Sequence, residues 1–242
     1  PLPFGVDVDA DMKNTKINAL FAGAPSLILP DKTYYEADHP QAPQLLAIFK
    51  EMTLKLFDLA GYDAAVAEKI TDEALQYDKL LAPHVKSAEE NADYSKMYNP
   101  ESGETFIKYS QYLDLKNLLV GLVGEVPEKI IVTEPAFFEK LDDLVNPDTF
   151  QQMKSWMLVM TLNALTAYLS EEFRQNGGIY SRALSGAPEA RPQEKAAFYL
   201  ASGRFDQIIG DYYGKKYFGE QAKRDVEQMV QRMVGIYQDR LS

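Results

Sequence analysis

The sequence contains no cysteine, two histidines and a single tryptophan among its 242 residues. Without cysteine the chain can form neither disulfide bonds nor thiolate metal ligands, and this composition fits a reducing compartment. Structural and catalytic zinc sites need three or four protein donors, and the two histidines, His39 and His84, are far apart in the sequence. We therefore predict that this chain binds no zinc and that it supplies no metal ligand and no catalytic residue.

Basic residues and long apolar runs are also scarce. The 25 Lys and Arg residues are outnumbered by 36 Asp and Glu residues, and the net charge of −11 repels the phosphates of nucleic acids and of anionic lipids. The most apolar stretch, 156–169, is interrupted by Thr161, Asn163 and Thr166, whereas a membrane-spanning helix needs roughly 20 apolar residues. We expect neither a nucleic-acid partner nor a membrane segment. Because the chain starts at Pro1 rather than Met, we expect upstream residues to be missing, and a signal or anchor there is left open.

Hydrophobic residues make up 46% of the chain, and their spacing favours helices over most of its length. Near the N-terminus, the apolar runs 3–8 and 17–21 flank turn-forming residues and predict a β-hairpin. We therefore divide the chain into a hairpin-and-loop segment, 1–43, and a helical body, 44–242. The sequence predicts a mainly α, multi-helix domain with a small β-hairpin near the N-terminus.

Within the helical body the boundaries follow from caps, glycines and prolines. We predict a helix ending at Gly61, a second between Asp63 and Pro83, a strand at 129–133, a long helix over 150–175, a helix over 192–218 and a last helix after Gly219. The helix over 150–175 is apolar around much of its circumference, so we expect it to be central and to bury Trp156. In the last helix we expect Val226, Met229 and Met233 to face inward.

Few residues have the spacing of a known chemical site. Glu36 and His39 form an E-x-x-H pair, but a proline follows directly and no second copy exists. His84 follows a predicted helix end, where a cation can face the carbonyl dipoles. The acidic clusters 89–93 and 142–143 lack the alternating loop that wraps calcium. We interpret all of them as surface or structural residues, and substrate-binding residues remain unknown from the sequence.

Several short motifs occur in the order in which the neprilysin-like zinc metalloendopeptidases carry them. They are Phe4, Gly5, Asp11, Lys13 and Asn14; Leu29, Pro30, Tyr34 and Tyr35; Tyr98, Asn99 and Pro100; and Gly210, Tyr213, Tyr217, Phe218, Ala222 and Lys223. The chain therefore resembles this family over most of its length. It is most similar to the bacterial members of the endopeptidase O type, because the cysteines of the animal members are absent. From this resemblance we expect a location in the bacterial cytoplasm.

The resemblance implies a two-domain enzyme in which a helical domain covers a zinc-bearing catalytic domain and limits the size of the peptides that enter. The family binds zinc through H-E-x-x-H, which is absent here, so this chain would be most of the cover and inactive alone. Its partners would be the missing C-terminal catalytic domain and peptide substrates. We then expect an uncovered apolar face, above all within 1–29 and on the helix ending at Leu241. The alternative is a free-standing helical protein-interaction module without catalysis.

Overall fold

The computed structural model describes residues 2–241, which form two units with the boundary in the chain between Pro188 and Glu189. Both units are mainly helical, and the first also contains a four-stranded sheet. The predicted fold class, mainly α with a hairpin near the N-terminus, is confirmed. The division of the chain at residue 43 stays a prediction. None of the helices within residues 2–241 combines the length and the apolar character that a bilayer crossing needs.

The N-terminal hairpin is longer than predicted. Strands β1 (Gly5–Asp11) and β2 (Asn14–Gly23) pair antiparallel, with a bulge after Ala10. Because the bulge lets the last residue of β1 pair with the first of β2, the turn contains only Met12 and Lys13. Asp9, Ala10 and Asp11, which the sequence placed in the turn, therefore belong to β1, and Asn14 belongs to β2.

Two short strands from later in the chain complete the sheet in the order β1-β2-β4-β3. Strand β3 (Pro100–Glu101) is antiparallel to β4 (Ile130–Val132), and β4 runs parallel to β2 with Ile130 beside Leu20. All three residues of β4 are buried. The sequence predicted this strand but not its partners, since a contact between positions 20 and 130 has no local signal.

Helices form most of the rest of the first unit. Their bounds are α1 (Ala42–Leu59), α2 (Ala64–Leu81), α3 (Ala88–Asn91), α4 (Gly103–Phe106), α5 (Leu115–Val123), α6 (Pro135–Phe138), α7 (Leu141–Leu144), α8 (Phe150–Leu165), α9 (Glu171–Gly177) and α10 (Ile179–Ser185). Asp63 caps α2 as predicted, because its Oδ1 accepts hydrogen bonds from the backbone N–H groups of Ala65 (2.9 Å) and Val66 (3.2 Å). Gly61, between α1 and α2, has a φ of +79°, which favours glycine.

The prediction of one helix over 150–175 is wrong. Helix α8 ends at Leu165, and α9 starts five residues after Thr166. The Thr166 hydroxyl donates to a carbonyl of the preceding turn at 2.9 Å, and the Ser170 hydroxyl accepts a bond from the Phe173 N–H at 3.5 Å, which caps α9. These hydroxyls replace continuous helical bonding at this point. Apolar periodicity alone does not reveal such a break.

Trp156 is buried as predicted, with 1% of its surface exposed. Only one side of α8 is covered, however: Met153 and Val159 are buried, whereas Leu158 and Leu165 are exposed. Helix α8 packs mainly on α2, and the sheet contributes β2 and β4 to the same core. The first unit therefore has one continuous hydrophobic core.

The second unit contains three helices and no strand among its described residues. They are α11 (Gln193–Arg204), α12 (Asp206–Tyr213) and α13 (Gly219–Leu241), with a π-helical turn at Gly214–Phe218 between the last two. The predicted helix over 192–218 is interrupted at Phe205, which lies between α11 and α12.

No residue of 189–241 is buried. The prediction that Val226, Met229 and Met233 face inward is therefore wrong, since these side chains are 44%, 63% and 55% exposed. Helix α13 is amphipathic as predicted, but the residues of its apolar side are exposed.

Candidate functional site

The segment that contains Leu29 and Tyr35 is held by one buried carboxylate, Asp78 on α2. This carboxylate accepts hydrogen bonds from the Ile28 backbone N–H (3.1 and 3.2 Å), the Trp156 indole N–H (2.8 Å) and the Tyr35 hydroxyl. The Tyr35 hydroxyl in turn accepts a bond from the Leu29 N–H at 3.2 Å. Asp78 is 1% exposed, so these bonds replace its water. We call these five residues the Asp78 cluster.

Burial governs the electrostatics of the Asp78 cluster. Desolvation raises the pKa of Asp78 above its ordinary value, although hydrogen bonds from Tyr35, Trp156 and Ile28 oppose the rise. Desolvation, followed by the nearby charge of Asp78, also raises the pKa of Tyr35. A carboxylate that is closed off from solvent and surrounded by donors is poorly placed to take a proton from a substrate. The arrangement instead fixes the position of the segment.

Tyr180 on α10 anchors the same segment from another direction. Its hydroxyl donates a hydrogen bond to the Ile28 carbonyl at 2.8 Å, and its ring packs edge-on against Phe49 of α1. Burial raises the pKa of Tyr180 to about 12, so the hydroxyl remains a donor at neutral pH. Both backbone polar groups of Ile28 are thus bonded to side chains.

A second buried carboxylate, Asp11 at the end of β1, joins two other motif segments. It accepts hydrogen bonds from the Lys129 ammonium, the Tyr98 hydroxyl (3.1 Å) and the Lys13 backbone N–H (2.8 Å). The Lys13 ammonium also lies 4.7 Å from the centre of the Tyr98 ring. The hydrogen bond from Lys129, and then that from Lys13, lowers the pKa of Asp11 to about 2. Asp11 therefore remains ionised and fixes the hairpin tip.

A cleft of about 510 Å³ lies along the segment 24–32. Val85, Lys86, Ala88 and Asn91 form a second wall of the cleft. Glu134 joins the two walls, because its carboxylate accepts hydrogen bonds from the backbone N–H groups of Ala24 (3.2 Å) and Lys86 (2.9 Å). The volume lies within the range of ligand-binding sites in proteins.

The structure gives the two histidines no shared site. His39 packs its ring on Tyr34, with 3.9 Å between ring centres, and its backbone N–H donates to the Glu36 carbonyl at 3.3 Å. His84 lies in the short 3₁₀ turn that follows α2. Residues 2–241 contain no group of three or more His, Asp and Glu side chains placed to hold a metal ion. The donors present do not fit zinc, so no step of zinc chemistry is assigned to them.

The acidic clusters that the sequence singled out have structural partners. Glu90 forms an ion pair with Lys32 and caps the start of α3 through the Ser87 backbone N–H at 2.7 Å. Asp142 accepts hydrogen bonds from the Ser110 hydroxyl (2.6 Å) and the Gln111 backbone N–H (3.2 Å). Their interpretation as structural or surface residues agrees with these contacts.

The sequence reasoning missed Asp78 and Glu134, the two carboxylates that organise the cleft. Asp78 had a usable signal, since it lies on the helix face that also carries Ala74, Tyr77 and Leu81, where an acid is out of place. Glu134 had none, because its partners are backbone amides far away in the sequence. An acidic residue within the apolar stripe of a predicted helix is thus the sequence feature that indicates a buried carboxylate such as Asp78.

A large apolar and aromatic surface is exposed on the second unit. Its members include Phe198, Phe205, Ile208, Tyr212, Tyr217, Met229 and Tyr237. On α13 the exposed residues Val226, Val230, Met233 and Tyr237 recur at helical spacing and form one stripe. The expected apolar face at the C-terminal helix is confirmed. Within 1–29, Val8, Met12 and Ile17 are exposed, whereas Phe4 and Leu20 are buried.

Comparison with known proteins gives the family. The model of Peptidase family M13 matches residues 1–242. The chain belongs to peptidase family M13. The resemblance predicted from the motifs is therefore confirmed.

Relatives within family M13 are longer than this chain. The neutral endopeptidase of Lactobacillus helveticus is 43% identical over 241 residues, which are 100% of this chain and 37% of that protein. A putative zinc metalloproteinase of Streptococcus gordonii is 35% identical over 99% of this chain and 42% of its own length. The chain thus spans less than half the length of these relatives.

Solved structures agree with the fold described above. The crystal structure of PepO from Lactobacillus rhamnosis HN001 has a TM-score of 0.89 and 33% identity, over 98% of this chain and 38% of that one. The zinc metalloprotease Zmp1 of Mycobacterium tuberculosis has a TM-score of 0.80 at 20% identity, over 96% of this chain and 36% of that one, and shows the fold alone.

Proposed function

We propose that this chain is the N-terminal part of a zinc-dependent endopeptidase that cleaves short peptides. In this proposal the chain forms a helical cover over the active-site cavity and limits the size of the substrate. Membership of family M13 and the 37% share of the Lactobacillus helveticus neutral endopeptidase support it. The expected location in the bacterial cytoplasm stays a prediction.

The exposed apolar surface of 189–241 is the observation that carries the cover role. Monomeric soluble proteins rarely expose contiguous apolar patches larger than a few hundred Å² unless they bind something. The stripe on α13 runs from Val226 to Tyr237, and the opposite side of the helix carries Arg224, Gln228 and Gln231. We infer that the downstream catalytic part of the parent covers this stripe.

The zinc and the groups that react would then come from that downstream part. Zinc held by two histidines and a carboxylate binds and activates water, and the donors within residues 2–241 do not fit such a site. The chain alone should therefore show no peptidase activity.

Co-expression with the downstream half of the parent tests the proposal. The complex should hydrolyse a short peptide and lose this activity when a chelator is added, whereas either half alone should be inactive. If the two halves do not associate in sedimentation experiments at micromolar concentration, the cover role is contradicted.

A pair of variants on α13 makes this test specific. Met233→Glu places a charge in the apolar stripe and should weaken association with the downstream half. Gln228→Glu adds the same charge on the opposite side of the helix and should leave association unchanged. Equal association by both variants would show that the stripe is not the docking face.

The same exposed stripe also fits the alternative, a free-standing protein-interaction module. The coding frame of the intact gene separates the two. A frame that continues past Ser242 into H-E-x-x-H supports the peptidase, and a stop codon there supports the module.

A further inference from the structure

Two backbone amides in the wall of the cleft have no hydrogen-bond partner among residues 2–241. The neighbouring amides of Ala24, Ile28 and Leu29 all donate to side chains. The N–H groups of Ser26 and Leu27, by contrast, donate to no atom within residues 2–241. Both residues line the cleft. Backbone donors that lie in a concavity are available to a ligand.

The wall that carries these two amides is held in place from both ends. Ala24 is bonded to Glu134, and Ile28 is bonded to Asp78 through its N–H and to Tyr180 through its carbonyl. A ligand that binds here therefore has little backbone to order, which lowers the entropic cost of binding.

The charged side chains that line the cleft are equal in number, two ammonium groups (Lys32 and Lys86) and two carboxylates (Asp31 and Glu134), and all four are already bonded. Lys32 forms an ion pair with Glu90, and the Lys86 ammonium donates to a backbone carbonyl at 2.8 Å. Asp31 accepts a hydrogen bond from the Ala88 N–H at 2.6 Å. Because the lining carries equal numbers of positive and negative groups and each of them is already bonded, the cleft favours an uncharged ligand over a phosphate or a charged peptide.

We propose that this cleft binds a short, uncharged peptide segment whose carbonyl groups accept hydrogen bonds from the backbone N–H groups of Ser26 and Leu27. Apolar side chains of the peptide would pack against Leu27, Val85 and Leu184, which also line the cleft. Main-chain hydrogen bonds supply affinity in such a mode, and side-chain pockets supply specificity. The site does not depend on the peptidase proposal, because it lies within this chain.

Titration of the isotope-labelled 242-residue chain with acetyl-Thr-Val-Thr-Val-Thr-amide tests the site by nuclear magnetic resonance. The Ser26 and Leu27 amide signals should shift downfield and saturate. The charged probe acetyl-Asp-Val-Asp-Val-Asp-amide should bind more weakly. Absence of a saturable shift at these two amides up to millimolar peptide would overturn the proposal, and so would equal binding of the charged probe.

Variants at position 26 distinguish binding through the backbone N–H of Ser26 from binding through its side chain. Ser26→Pro removes the N–H and should weaken binding about tenfold, the value of one hydrogen bond, whereas Ser26→Ala keeps the N–H and should bind like the parent. Ala88→Trp places a large side chain in the cleft from an exposed position, so it should abolish the shifts of the Ser26 and Leu27 amide signals. It tests the site independently if Ser26→Pro disturbs the fold. Unchanged binding by Ala88→Trp, with an otherwise unchanged spectrum, would place the peptide elsewhere.

Discussion

Helices α2 and α13 carry similar apolar stripes in the two units of the chain, with opposite outcomes. On α2, Ala74 and Tyr77 are 0% exposed, whereas on α13 Met229 is 63% exposed. The stripe shows which side of a helix is suited to burial, but it does not show what will cover that side. In residues 2–188 the cover is α8 and the rest of the core, and for 189–241 we propose that it is the downstream part of the parent.

The first unit also places polar groups inside its core, and the second does not. Asp78 and Asp11 are each 1% exposed and each bonds to groups from distant parts of the sequence. Such bonds fix the relative positions of several segments at once. We therefore expect mutations in 2–188 to affect stability and those in 189–241 to affect association.

Trp156→Ala should give the largest loss of stability. It removes a ring that is 1% exposed and leaves Asp78 without one of its donors, so we expect the free energy of unfolding to fall by about 3 to 5 kcal/mol. Chemical denaturation followed by circular dichroism measures the loss. Tyr217→Ala, at a position 64% exposed, is the control and should change it by less than about 0.5 kcal/mol. An unchanged denaturation midpoint for Trp156→Ala would contradict the expected difference in sensitivity to mutation between the two units.

A matched pair of methionines compares the units directly. Met153→Ala truncates a side chain that is 5% exposed and should cost about 2 to 5 kcal/mol. Met229→Ala truncates the same side chain where it is 63% exposed and should cost less than about 0.5 kcal/mol. Thermal and urea unfolding of both variants provide the measurement. Similar losses would mean that α13 is covered within this chain.

Asp78→Asn should cost about 1 to 3 kcal/mol, because one acceptor oxygen is lost while the buried donors remain. The cost should depend on pH. Burial raises the folded-state pKa of Asp78 above the ordinary 3.8, so its contribution to stability is fully present below that value and is lost as the pH rises through the folded pKa. The deficit of the variant should therefore be largest near pH 4 and shrink toward neutral pH in denaturation curves. A deficit that grows with pH would contradict this assignment.

Lys129→Met should have the smallest effect on the free energy of unfolding, and this effect should change with pH within one window. The folded-state pKa of Asp11 is lowered to about 2, so its contribution is present above the ordinary 3.8 and is lost as the pH falls to about 2. The stability difference between parent and variant should be full above that window and vanish below it. Acid unfolding followed by circular dichroism tests this. Lys223→Met on α13 is the control and should show no such window.

Local signals in the sequence correctly predicted those helices and strands whose ends depend on residues close to them in the chain. The cap at Asp63 and the glycine at Gly61 placed α1 and α2, and the turn-forming residues between two short apolar runs placed the hairpin. The break between α8 and α9 was missed because hydroxyl groups at Thr166 and Ser170 compete with helical bonds only in a particular backbone geometry.

The candidate site was less accessible to prediction. The motif around Leu29 and Tyr35 was recognised in the sequence. The buried carboxylate of Asp78, which holds this segment in place, was not predicted. The bond from Tyr35 to Asp78 joins positions that are 43 residues apart, and that from Trp156 joins positions 78 apart. Spacing rules do not reach over such separations.

The sequence by itself determined the helical character of the chain, its N-terminal hairpin, its lack of a zinc-binding motif and its family, because each depends on residue type and short-range order. Only the tertiary structure decided that β4 pairs with β2, that Asp78 and Glu134 organise a cleft, and that the stripe of α13 is exposed. These outcomes depend on burial, which is set by contacts between segments far apart in the chain.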